Sequence, residues 1–264
     1  MTVSGTTSGS APALQDLAVI VTGGGSGIGA VTAQTMVALG ARVACLDLQP
    51  PPDGPQLRGV SCDVRDDASV RAAVATAAQW LGGIDVLINN AGVASLGTLE
   101  TQDDAEWARV FDVNMFGMAR TTRAALPWLK QSSRAAIVNV SSAVARIGLP
   151  QRTLYSATKG AILSFTRALA ADCIALPIRV NCVTPGVVDT PWQARAVAAA
   201  ADPTQRLAQL QSMQPNGQLV TAEQVAAAIV YLAGPASGAT TGIDLPVDGG
   251  MQTIHLMSAA LTGR

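Results

Sequence analysis

The stretch from Tyr155 to Lys159 sets a phenol four residues ahead of a primary amine, in a chain that has two tyrosines and one histidine in all. On a helix, positions i and i+4 share a face. An ammonium held beside a phenol favours the phenolate. The pair can therefore take up and release a proton without histidine, as a general acid/base must. A half-buried tyrosine beside a surface lysine is the alternative for an isolated pair. Two features weigh against it. Ser142 ends an apolar run thirteen residues upstream of Tyr155 and can hydrogen-bond a reacting oxygen. Asn89-Asn90-Ala91-Gly92 ends another run, where small residues let a cofactor approach the backbone.

A second cluster is the glycine-rich stretch Thr22 to Gly29, which contains Gly23, Ser26, Gly27, Ile28 and Gly29. It follows a strand-like run and opens a helix-like one, the context of a dinucleotide-binding loop. Glycines allow a tight turn close to a pyrophosphate, and the helix start offers free N–H groups. A phosphate-binding P-loop needs a Gly-Lys-Ser/Thr ending, and Gly29-Ala30-Val31 does not supply one. Asp47 lies eighteen residues beyond Gly29. A carboxylate there can accept from both ribose hydroxyls of an adenosine and would repel a 2′-phosphate, which favours NAD over NADP. Asp63, with Val64 after it, is placed either to meet the adenine edge or to cap the next helix.

Both clusters need elements to position them. Apolar runs at 17–23, 42–47, 58–64, 84–92, 135–142, 178–186 and 242–250 read as strands. Helical patterns cover 28–41, 66–80, about 103–130, 154–174 and 222–233. The strand runs are continuous rather than alternating, which predicts burial on both faces and a parallel sheet. The expected fold is one α/β domain over residues 16–264: a doubly wound parallel sheet of about seven strands with helices on both faces. Residues 1–15 read as a flexible, polar N-terminal tail rather than a signal peptide. The Pro/Gly break after Asp47 replaces a crossover helix. The stretch at about 190–217 lies outside the strand–helix rhythm and is either a substrate lid or an inert insertion.

Composition narrows the function. The net charge is −1, with 49% hydrophobic and 13% charged residues. That argues against nucleic acid, an anionic membrane or disorder. No run reaches the length of a membrane span. Cys45, Cys62, Cys173 and Cys182 form no CxxC pair and read as buried, reduced thiols of a cytoplasmic protein. His255 has no companion ligands, so no metal site is expected.

Taken together, the motifs resemble the short-chain dehydrogenase/reductase family. The TGxxxGIG loop stands at residues 22–29, NNAG at 89–92, and Ser142 precedes Tyr155 and Lys159. "PGVVDT" at 185–190 and "VDGG" at 247–250 are similar to its nicotinamide-side loop and closing segment. The resemblance implies that Tyr155 is the acid/base, that Lys159 tunes it and binds the nicotinamide ribose, and that Ser142 orients the substrate oxygen. It implies that Asn114 holds a water linking Lys159 to solvent, and that Pro185, Gly186, Val188 and Thr190 meet the nicotinamide side. It also implies a homotetramer packed through helices near Asn114 and Tyr155.

The expected reaction is the NAD-dependent interconversion of a secondary alcohol and a ketone, on a small-molecule substrate. The substrate would meet Ser142, Val144, Arg152, Tyr155 and Trp192. Arg146 and Arg152 can attract a carboxylate or sugar hydroxyls, or be surface arginines. The alternatives are an NADP-linked carbonyl reductase and, in a different class, a catalytically inactive nucleotide-binding sensor or scaffold. The stretch 253–264 is expected either to reach a neighbouring subunit or to fray.

Overall fold

The computed structural model describes residues 13–256. Seven parallel strands form one sheet: β1 (Ala18–Thr22), β2 (Arg42–Asp47), β3 (Leu57–Ser61), β4 (Val86–Asn89), β5 (Ala135–Val140), β6 (Ile178–Pro185) and β9 (Asp244–Val247). Their order is β3-β2-β1-β4-β5-β6-β9. Two further two-residue strands, β7 (Val188–Asp189) and β8 (Val220–Thr221), pair with each other.

The continuous apolar runs have a direct cause. Successive strand residues point to opposite faces, and here both faces are covered. Ile20, Leu46, Leu87 and Ile137 pack on one side against α2 (Asp67–Leu81), α4 (Gly117–Leu129) and α5 (Thr153–Asp172). Val21, Val43, Ile88 and Val138 pack on the other against α1 (Gly27–Ala38) and α8 (Ala222–Ala233). The chain runs outward from β1 to β3 on one side and from β4 to β9 on the other. The crevice between β1 and β4 is thus the topological switch point, where ligands of such sheets bind.

The helical stretch expected at 103–130 is three pieces: α3 (Asp104–Phe111), a five-residue π-helical turn (Asp112–Phe116) and α4. The wide turn carries Asn114 into the core, where it is 1% exposed. No crossover helix joins β2 to β3, in keeping with the Pro/Gly break. At the start, Leu14 is buried and its N–H donates to Leu39 O at 3.0 Å, so the described residues 13–15 lie folded on the domain. The rest of the expected tail, and residues 257–264 at the other end, lie outside the described residues. The four cysteines are free and buried, and burial first, with Asp47 adding to it, pushes the Cys45 thiol up to about 12.

Arg146 has a structural position. Its Nε donates to Asp244 Oδ2 at 2.7 Å, and Arg167 reaches the same carboxylate at 3.1 Å. Arg146 therefore pins the edge strand β9 to the turn after β5, and it is not part of the cleft wall. Burial pushes the Asp244 carboxyl up, but Arg146 and Arg167 together outweigh it and hold the group below the ordinary carboxylate range. Because the folded value is depressed, this stabilisation is complete well above about pH 4 and is lost as pH falls through the folded value. Arg146→Ala should lower the unfolding free energy by about 1 kcal/mol at neutral pH, allowing for screening at the half-exposed guanidinium. In urea titrations the gap to wild type should close as the pH drops below about 4. A gap that does not change with pH would rule the ion pair out as its source.

Candidate active site

A cleft of about 1100 Å³ opens at the carboxyl ends of the strands. It brings together most of the residues singled out above: Gly23, Ser26, Gly27, Ile28, Asp47, Asn90, Ala91, Gly92, Ser142, Val144, Arg152, Tyr155, Lys159, Pro185, Gly186, Val188, Thr190 and Trp192 all line it. Gly29, Asp63, Val64 and Asn114 do not.

The first wall is the loop between β1 and α1. Gly23 has φ +67°, in the left-handed region. Gly29 lies beneath it: a Cβ there would stand 2.1 Å from Gly23 O and 2.5 Å from Asn90 Nδ2. Ser26 occupies the N-cap of α1 without a side-chain cap bond. The first-turn N–H groups and the positive end of the helix therefore face the cleft, as an anion site requires. Asn90 braces this loop, its Nδ2 donating to Thr22 O at 3.0 Å and Gly23 O at 3.1 Å. Thr22 Oγ1 in turn accepts from the N–H groups of Asn90 and Ala91 at 3.0 and 3.1 Å. Asp47 accepts from Gly25 N and Gln49 N, each at 2.9 Å, which fixes its carboxylate at the far end of the cleft.

The second wall is β5 and the first turns of α5. Tyr155 and Lys159 share one face, with Lys159 Nζ 5.6 Å from the centroid of the phenol ring. Lys159 is 5% exposed, and its Nζ donates to Val140 O at 3.0 Å. Ser141 Oγ donates to Lys159 O at 2.8 Å, tying the helix to the end of β5. Ser142 takes an extended backbone and caps the short turn Ala143–Ala145, its Oγ accepting from Val144 N at 3.4 Å. Asn114 sits behind this wall. Its Oδ1 accepts from Val93 N at 2.8 Å, and its Nδ2 donates to Val93 O at 2.9 Å and Thr158 Oγ1 at 3.1 Å. Gly92 fits between them: a Cβ there would lie 3.2 Å from Asn114 Oδ1 and 3.6 Å from Lys159 Nζ.

The third wall comes from α6 (Pro191–Ala198) and α7 (Pro203–Ser212), the two helices of the stretch that breaks the strand–helix rhythm. Trp192, Arg206, Leu210 and Met213 face the cleft from here.

Asp63 and Val64 lie off the cleft lining, with contacts of their own. The Asp63 carboxylate is bound by Arg65, through the guanidinium at 2.6 Å and the backbone N–H at 2.9 Å. Val64 O accepts from Arg120 at 3.2 Å, and its side chain fills the space above Gly117. Residues the sequence did not single out include Arg109 and Arg206 on the cleft wall. They also include a buried polar chain behind it. Asn89 Nδ2 donates to Asn139 Oδ1 at 2.9 Å, and Asn139 Nδ2 to Thr166 Oγ1 at 2.9 Å. The Asn-Asn dipeptide thus has two jobs, one inward and one on the glycine loop.

Gly29→Ala should weaken binding of a dinucleotide about tenfold or more, since the new methyl collides with backbone at the loop's base. Fluorescence titration with NADH measures this, and an unchanged affinity would show that the loop does not hold the cofactor.

Known proteins bear on this arrangement. A family model described as enoyl-(acyl carrier protein) reductase matches residues 23–252. The 2-(S)-hydroxypropyl-CoM dehydrogenase 3 of Xanthobacter autotrophicus is 33% identical over 91% of this chain and 98% of its own length. The cis-4-hydroxycyclohexanecarboxylate dehydrogenase of Sinomonas cyclohexanicum is 36% identical over 92% and 99%. The ligand-free aldohexose dehydrogenase of Thermoplasma acidophilum superposes with a TM-score of 0.88 at 32% identity, covering 94% of this chain and 98% of that one. By these likenesses over nearly its whole length, the chain belongs to the short-chain dehydrogenase/reductase family of oxidoreductases.

Proposed function

We propose that this protein interconverts a secondary alcohol and a ketone with NAD as redox partner. One observation carries the reading: a phenol beside a buried ammonium, 5.6 Å from ring centroid to Nζ, in the cleft whose other end holds the glycine loop and Asp47. The uncapped start of α1 and the glycine cradle suit a pyrophosphate, so the residues fit the cofactor. Gly23, Ser26, Gly27 and Ile28 would hold it there. Asp47 would take the adenosine ribose, Asn90, Ala91 and Gly92 the middle, and Pro185, Gly186, Val188 and Thr190 the nicotinamide side. When bound, the nicotinamide supplies the hydride acceptor.

The protein's own groups handle the proton. Tyr155 takes it from the substrate hydroxyl, and Ser142 donates to the same oxygen and orients it. Lys159 stabilises the phenolate that drives the transfer. Asn114 holds the backbone of Val93 and so keeps the wall behind Lys159 in place. The relatives named above are dehydrogenases of hydroxylated small molecules, which supports an alcohol as substrate. Helices α6 and α7 act as the substrate lid, because their side chains form the wall facing Tyr155. Assembly into a homotetramer would use the exposed Phe116, in the π-helical turn, and Trp128, in the last turn of α4.

Tyr155→Phe should cut turnover by about a hundredfold or more while leaving NAD affinity near wild type. Steady-state kinetics with a panel of secondary alcohols checks this, and near-normal turnover removes Tyr155 from the chemistry. For cofactor choice, NADH should bind at least about tenfold more tightly than NADPH, since a 2′-phosphate would meet the Asp47 carboxylate and exposed Leu48 follows it in place of a cation. Equal affinities would favour the NADP-linked reductase.

A further inference from the structure

The cleft is electrically lopsided. Its wall carries Arg109, Arg152, Lys159 and Arg206 against a single carboxylate, Asp47, at the adenosine end. Lys159 belongs to the acid/base pair. Arg109 is neutralised by Glu106, through two bonds of 2.7 and 2.8 Å. Arg152 and Arg206 are in no ion pair among the described residues.

Arg152 is held in position all the same. Its Nη1 donates to Ser95 O at 3.1 Å, and its guanidinium carbon lies 5.9 Å from the Tyr155 ring centroid. Arg206 lines the same cleft from α7. That helix is otherwise exposed from 203 to 209, yet Arg206 is half-buried and shares its inward face with Leu210 and Met213. Burial first pushes the Arg152 guanidinium below its ordinary value, Tyr155 opposes this, and Arg206 adds to it. Two unpaired cations that repel each other across a partly desolvated gap are stabilised when an anion enters between them.

We infer that the substrate carries an anionic group, a carboxylate or a sulfonate, which Arg152 and Arg206 clamp while Tyr155 works on the hydroxyl. This rests on the dehydrogenase reading above and narrows it to hydroxy acids. Since Arg152 lies against Tyr155, the anion and the hydroxyl are separated by only a few bonds.

The test uses the full chain with NAD and three matched alcohols: 3-hydroxycyclohexanecarboxylate, its sulfonate analogue and 3-methylcyclohexanol. It also measures binding of cyclohexanecarboxylate and cyclohexanesulfonate to the NADH-loaded protein by calorimetry. The acids should show kcat/KM at least about tenfold above the neutral alcohol, and whichever acid leads identifies the anion. Arg206→Gln should reduce that preference and the anion affinity by about tenfold or more, acting on substrate KM, and Arg206→Lys should recover part of it. Oxidation of the neutral alcohol as efficiently as the acids, with no measurable anion binding, overturns the clamp and leaves the dehydrogenase intact. So does an Arg206→Gln defect that falls on NAD rather than substrate. Failure to oxidise any alcohol, with anion binding retained, instead overturns the dehydrogenase reading.

Discussion

A buried ammonium is the constraint around which this molecule is arranged. Lys159 is 5% exposed, and a charge so placed is tolerated only where neighbours replace its water. Val140 supplies a carbonyl, and Ser141 ties the lysine's own backbone to the same strand end. These two bonds fix the roll of α5 relative to β5, and with it the direction of Tyr155. Gly92 has no side chain to obstruct the approach, and Asn114 anchors the loop that carries it through both polar groups of Val93. A small shift in any of these would move the cation away from the phenol.

A line of buried polar side chains crosses the sheet and helps such positioning. Asn89, Asn139 and Thr166 bond in sequence across neighbouring elements, in a region otherwise filled by aliphatic side chains. A satisfied network of this kind specifies a single register, since slipping one strand by a residue would strand each amide without a partner. It lies one residue from Asn90, which braces the glycine loop. Cofactor wall and catalytic wall thus share one rigid foundation.

Much of this was legible in the residues. The strands read as unbroken apolar runs because both faces are covered, and Tyr155 with Lys159 needed only helical spacing to be paired. The glycine loop was legible because its backbone demands are local. Less visible were features that depend on partners distant in the chain. Arg146 and Arg152 look alike in sequence, yet Asp244, ninety-eight residues on, claims the first and leaves the second in the cleft. Asp63 was expected at the adenine edge or as a cap; the cap of α2 is Asp66, three residues on, and the Asp63 carboxylate accepts from Arg65. The π-helical turn at Asn114 escapes a periodicity analysis because one widened turn scarcely disturbs a helical pattern. Arg206 was missed because the phase of an isolated helix does not reveal which face will dock.

Ser95 shows how unequally two neighbouring contacts are exposed to mutation. Its carbonyl accepts from Arg152, while its hydroxyl donates to Glu106, the partner of Arg109, and accepts from buried Gln102. A side-chain replacement at this position erases the hydroxyl's bonds but leaves the carbonyl untouched. The mooring of Arg152 by main chain therefore survives a side-chain change at Ser95, whereas the carboxylate that holds Arg109 loses one of its supporting hydrogen bonds. A Ser95→Ala change would thus loosen the Glu106–Arg109 side of the pocket and spare the anchoring of Arg152.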